Sequence, residues 1–197
     1  MTKRFIIGWL TCCWMMGMGG AAGAADKPWV VLTGCQYVVH PGNDGDSFRF
    51  QWKGGEYTAR LYYVDAPESN LDFPERVREQ SEHFGITLDE TWRMGVQAGV
   101  RAREFMKEPF VIRTRWAAAP GRGRSTRFYV LVESGEKSLI EDLVCRGLAY
   151  PRGVSVKLPT GESAAVIRKK LEALEREAQE NGRGAWANSK KKEAPVE

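Results

Sequence analysis

Asp44, Asp46, Asp65 and Glu68 stand close together in the chain, and Arg60 lies among them. Clustered carboxylates hold a hard divalent cation through oxygen, and a guanidinium grips an anionic phosphate through its planar fork. The acids arrive as Asp44-Gly45-Asp46-Ser47 and as Val64-Asp65-Ala66-Pro67-Glu68, at the two ends of one hairpin pattern. Displacement at a phosphodiester needs neutralised charge on the non-bridging oxygens, an oriented water, and donors aimed at the five-coordinate transition state. These residue types supply each of those. Zinc is poorly served, since His40 and His83 are the only histidines. Taken singly, each residue has an ordinary reading: Asp-Gly-Asp is a common turn, and Asp65 ahead of Pro67 is a turn cap.

The hairpin must position them. Phe48, Phe50 and Trp52 alternate with Ser47, Arg49 and Gln51, and Tyr57, Ala59, Leu61 and Tyr63 repeat the pattern, so two half-buried strands are predicted. A primed two-residue turn could use Gly54-Gly55 or Lys53-Gly54. The first sets Arg49 opposite Arg60, a repulsive pair; the second sets Arg49 opposite Thr58 and Ser47 opposite Arg60, and is preferred. Asp46 then falls on the apolar face, at the same end of the hairpin as Asp65. A straight strand would leave Asp65 roughly 13 Å past the residue facing Asp46, at about 3.3 Å per residue, so the chain must curl back. Alternation also places Arg60 on the face opposite Asp65, which requires a bulge or strong twist to bring them to one site.

In order and spacing these residues resemble the staphylococcal (thermonuclease-like, micrococcal) nuclease family, whose signature is Asp-Gly-Asp-Thr followed by Arg-Leu-x-x-Val-Asp-Thr-Pro-Glu. The segment 138–149, with Leu143-Val144-Cys145-Arg146-Gly147-Leu148-Ala149, is similar to the family's helix, and 168–186, closing on Gly184-Ala185-Trp186, to its last helix. The resemblance spans roughly 35–187. It implies that Asp46, Asp65 and the backbone carbonyl of Ala66 bind Ca²⁺, that Arg60 and Arg127 grip phosphate, and that Glu68 acts on the attacking water. Departures are Ala66 in place of threonine, Ser125-Thr126 ahead of Arg127 in place of Tyr-Gly, with Arg124 a second candidate for that arginine's role, and a long loop over 69–86, longer than the family's. The implied fold is α+β, a five-stranded OB-fold-type β-barrel with about three packed helices. The implied activity is hydrolysis of DNA or RNA to a 5′-hydroxyl and a 3′-phosphate. The alternative is a non-catalytic OB-fold module that binds single strands.

The rest of the chain bounds that reading. Lys3 and Arg4, an apolar run over 5–18 and the small residues 22–25 have the three parts of a secretory signal peptide, so 1–25 is expected to be removed and the protein exported, periplasmic or secreted, with no stable membrane association. Cys35 and Cys145 then remain and allow a single pairing, which a loop of that length would favour by about 4 kcal/mol in the chain-entropy model; two buried thiols are the other outcome. Residues 26–188 suit one domain and a monomer, with a disordered basic tail over 189–197. The formal charge of +4 falls to +2 without Lys3 and Arg4, so bulk charge says little about nucleic acid. Its distribution says more: 109–132 carries Arg113, Arg115, Arg122, Arg124 and Arg127 and no acid, and the glycine-flanked Arg122 and Arg124 could track a phosphate backbone.

Thr87 with Glu90, and Ser138 with Glu141, read as capping boxes that start helices. Leu88, Trp92, Val96 and Val100 predict the packed face of the first, and Ile167, Leu171, Leu174 and Ala178 that of a helix over 164–181. Trp52 and the tyrosines of 57–63 read as core packing rather than base-stacking platforms.

Overall fold

A computed structural model describes residues 27–120 and 126–190. The expected signal peptide, Arg122, Arg124 and all but the first two residues of the basic tail lie outside them. The elements run β1 (Val30–Val38), β2 (Ser47–Trp52), β3 (Gly55–Leu61), β4 (Val64–Asp65), α1 (Pro74–Phe84), α2 (Leu88–Phe105), β5 (Phe110–Ala119), β6 (Arg127–Ser134), β7 (Lys137–Ser138), α3 (Leu139–Cys145), β8 (Tyr150–Pro151), α4 (Ala164–Glu180) and a 3₁₀ turn (Gly184–Asn188). The hairpin turns at Lys53 and Gly54, both with positive φ (46° and 78°), and pairs Ser47 with Arg60 and Arg49 with Thr58. The observed register thus keeps Arg49 away from Arg60, as like-charge repulsion requires.

Strands β3, β2, β1, β5 and β6 lie side by side in that order, antiparallel throughout, and a parallel β3–β6 pairing closes them into a ring. Short β4 pairs with β8 as a separate ribbon. Leu32, Phe48, Phe50, Ala59, Leu61, Ile112, Val130 and Val132 bury one apolar cluster, which Leu139 and Leu143 of α3 and Ile167 and Leu171 of α4 extend. Each fully buried large side chain contributes about 1.5–3 kcal/mol, so this cluster carries most of the driving force. Trp52 and Tyr57 pack against it, and Tyr62 stacks on Tyr129 with ring centroids 4.9 Å apart, as their reading as packing residues required.

Several expectations are corrected. The segment over 69–86 is not a long loop: Pro74 opens α1, and Gly85, with φ 68°, closes it. The chain thus has four α-helices among its described residues, not about three. In α2 the packed face is not the one carrying the large apolar residues. Leu88, Trp92, Val96 and Val100 are exposed, while Thr91, Gly95, Ala98, Ala102 and Phe105 are buried. Small residues at that spacing let the helix approach the backbone closely, so Gly95 has no room for a Cβ against the Glu68 and Pro67 carbonyls. The Thr87 capping box forms, but Ser138 makes no side-chain cap at α3.

Cys35 and Cys145 are separate thiols. Cys35 is sealed in the core, where burial pushes its thiol up to about 11, and its Sγ bonds the Leu32 carbonyl; Cys145 turns to the Asp142 carbonyl at the end of α3. At the start of the expected tail, Ser189 is buried and donates to the Phe84 carbonyl, and Lys190 N bonds the Gly85 carbonyl.

Candidate functional site

Asp44 and Asp46 do different work. The Asp44 carboxylate accepts from the backbone N–H groups of Asp46 and Ser47, at 2.9 and 2.6 Å, forming an Asx turn that starts β2. That turn leaves Asp46 aimed inward, almost wholly buried. On the partner strand, Tyr63 adopts left-handed backbone (φ 69°), a conformation that costs a bulky residue about 1–3 kcal/mol. It is over-determined: the ring is buried, its N–H bonds the Val154 carbonyl at 3.0 Å, and its hydroxyl reaches the Val156 backbone. This one residue breaks the strand between β3 and β4 and re-aims the chain, bringing Asp65 round to Arg60. The parity conflict in the sequence is resolved there.

The Arg60 guanidinium bridges the two aspartates, one Nη on Asp46 Oδ1 and the other on Asp65 Oδ1 at 2.5 Å. Asp46 also accepts from Ser47 Oγ (3.1 Å) and from the Ala66 backbone N–H (2.7 Å). Asp65 accepts from Arg76, from Gln80 Nε2 (3.3 Å) and from the Tyr150 hydroxyl (3.0 Å). The electrostatics divide the pair. Burial pushes the Asp46 carboxyl well above the usual carboxylate range, with Arg60 opposing and Asp44 and Asp65 adding to the rise. Burial also acts on Asp65, but Arg60 and Arg76 together outweigh it and hold that group below the usual range. Arg60 itself is buried, which favours neutrality, yet the neighbouring carboxylates more than compensate and fix it as a cation.

Helix α1 brings two residues that the sequence reading passed over. Arg76 and Gln80, one turn apart, both face the 65–68 segment. Arg76 reaches Glu68 Oε1 through Nε and Asp65 Oδ1 (2.9 Å) through Nη2. Gln80 accepts from the Glu68 N–H (2.8 Å) and donates to the Ala66 carbonyl (2.9 Å). The only sequence signal was an amphipathic stretch inside what read as a loop.

Arg127, at the start of β6, lies beside Thr58 in the parallel pairing and donates to Ser47 Oγ at 3.1 Å, so one hydroxyl separates it from Asp46. A second bond from Arg127 goes to the Pro120 carbonyl. Asp46, Arg60, Asp65, Ala66, Glu68 and Arg127 are therefore brought together, with Arg76 and Gln80 added.

The donor set can be weighed against the divalent cation that the sequence implied. Two buried carboxylates share one positive group, Ala66 offers a carbonyl on the same segment, and all donors are hard oxygens, which suits Ca²⁺. Among the described residues no group of three or more His, Cys, Asp or Glu side chains is arranged for a metal, so carbonyl and water oxygens would complete the shell. Arg60 stands where the shared positive charge is wanted, and would have to withdraw. Among known proteins, no family model matches the chain, and no curated protein matches it.

Proposed function

We propose that the protein is a Ca²⁺-dependent phosphodiesterase that hydrolyses DNA or RNA, with the ring of five strands and its helices read as an OB-fold-type barrel of the staphylococcal nuclease kind. The observation that carries this reading is the convergence of two buried aspartates on one guanidinium, with Glu68 and Arg127 each one link away. Asp46, Asp65 and the Ala66 carbonyl would hold the ion, which when bound supplies positive charge to the non-bridging phosphoryl oxygens. Arg60, freed from the aspartates, and Arg127 bind those oxygens bidentately and stabilise the charge that builds on them in the transition state. Glu68 accepts a hydrogen bond from the attacking water and holds it in line. The water oxygen bonds to phosphorus, releasing a proton to solvent by way of Glu68, as the bond to the 5′-oxygen breaks, and the 5′-oxygen takes a proton from solvent and leaves as a hydroxyl.

Export of the mature protein by a secretory signal, monomeric action and freedom from the membrane belong to the same proposal. None of the helices among the described residues is long and apolar enough to cross a membrane. The test is cleavage of end-labelled single-stranded DNA and RNA by the purified protein, with Ca²⁺ and with a chelator. Ca²⁺-dependent cleavage abolished by chelation is expected; absence of cleavage of both polymers contradicts the reading. One observation favours the alternative, a binding module without turnover: the aspartate oxygens and the Ala66 carbonyl are already engaged by protein donors. Tight binding of single strands without cleavage in Ca²⁺ would select it.

A further inference from the structure

Arg76 does not belong to the set of residues that the hairpin itself supplies. It comes from α1, in the segment where this chain is longer than the family it resembles. Its guanidinium is divided between two acids: Nε holds Glu68, and Nη2 holds both oxygens of Asp65. With 40% of its side chain exposed, it is more open than the groups it joins, against 16% for Arg60, 14% for Glu68 and 4% for Asp65. Holding the backbone in place is not its task. Gln80, one turn along, already meets the Glu68 N–H, the Ala66 carbonyl and Asp65.

A guanidinium presents separate donor edges from one rigid plane. Once Asp65 turns its oxygens to a divalent cation, the Nη edge of Arg76 loses its partner while the Nε edge keeps Glu68. A guanidinium left in a partly buried site without an anion is costly, so the Nη edge will take the next anion within reach. In a phosphodiester complex that anion is a phosphoryl oxygen beside the water on Glu68. We propose that Arg76 is a third phosphate-contacting arginine, supplied by α1, aimed by Glu68 and released for substrate when Asp65 is engaged. The proposal rests on the phosphodiesterase reading and adds to it a specific link between cation and phosphate binding.

The test uses the protein with R76A, R76Q and R76K, each first matched to wild type by circular dichroism and thermal midpoint. Equilibrium binding of fluorescein-labelled pentathymidylate with phosphorothioate linkages is measured in Ca²⁺, and Ca²⁺ affinity is measured by calorimetry without nucleotide. R76A and R76Q are expected to weaken oligonucleotide binding roughly 10- to 100-fold, as for loss of a charge-assisted contact. R76K should recover part of it, and Ca²⁺ affinity should hold or rise in all three. Unchanged oligonucleotide binding in R76A and R76Q overturns the proposal. A loss of oligonucleotide binding matched by a loss of Ca²⁺ affinity also overturns it, since Arg76 would then be only a prop for Asp65. Cleavage of unmodified pentathymidylate by wild type separates the two levels: if wild type cleaves and the variants bind normally, only the role of Arg76 falls. If wild type neither cleaves nor binds Ca²⁺, the phosphodiesterase reading falls and takes that role with it.

Discussion

Arg60 spans Asp46 and Asp65 with two nitrogens of one plane, and that geometry makes its replacement informative. Lysine keeps the charge but offers a single ammonium, which cannot bridge both acids or bind a phosphoryl group bidentately. R60K is therefore expected to lower the cleavage rate on the order of 100-fold while its thermal midpoint stays within a few degrees of wild type, measured as initial rates beside a melting curve. That Asp46, Arg60 and Asp65 would gather at one end was legible because order and spacing in a hairpin constrain where side chains fall, whereas Ala66, Glu68 and Arg127 were candidates through the family resemblance, Arg127 by its place ahead of the 138–149 segment. Arg76 and Gln80 were not legible, because their contacts run between elements whose relative placement no local pattern encodes. Tyr63 was half-legible: the strand parity demanded a re-aiming device, but the left-handed conformation of a tyrosine depends on tertiary bonds to residues far along the chain.

Helix α2 turns Gly95 toward the Pro67 and Glu68 carbonyls, and Leu88, Trp92, Val96 and Val100 toward solvent. Periodicity of large apolar side chains pointed to the wrong face because close approach, rather than burial of bulk, decides the packing there. Two substitutions on adjacent residues should separate the faces. G95A drives a methyl into the Glu68 and Pro67 carbonyls and is expected to cost about 1–3 kcal/mol, lowering the thermal midpoint and displacing Glu68 enough to depress activity. V96K, on the exposed face, should stay within about 0.5 kcal/mol. Between α2 and α3, Asp142 accepts a bidentate pair from Arg101, at 2.6 and 2.9 Å, and a further bond from Arg146. Burial raises its carboxyl, but the two arginines outweigh that and hold it below the usual carboxylate range. A lowered folded value means that its contribution is complete above the unfolded value of about 3.9 and is lost as pH falls through the lower folded value. D142N should thus remove about 1–3 kcal/mol at neutral pH and flatten the acid limb of the stability profile, read from melting curves taken between about pH 2.5 and 6.

Across the whole molecule, the ring of five strands fixes the hairpin that carries Asp46 and Arg60, β6 delivers Arg127 through its parallel pairing with β3, and α1 and α2 clamp the returning 65–68 segment. The α+β class, the hairpin register and the last helix were legible as local patterns. The parallel pair that closes the ring was not, since it depends on contacts between distant segments, and α1 was missed although Pro74 and Gly85 are local start and stop signals for it. If the two aspartates form a cation site, Ca²⁺ should stabilise the fold by mass action, about 2.7 kcal/mol at a hundredfold excess over its dissociation constant. That corresponds to a rise of roughly 5–10 °C in thermal midpoint, absent in D46N. The most direct measurement compares wild type with E68Q for cleavage of labelled single-stranded DNA and RNA in Ca²⁺. Rapid Ca²⁺-dependent cleavage by wild type, reduced on the order of 100-fold or more in a folded E68Q protein that still binds the strand, is the predicted result. Equal cleavage by both proteins, or none by either, would contradict it.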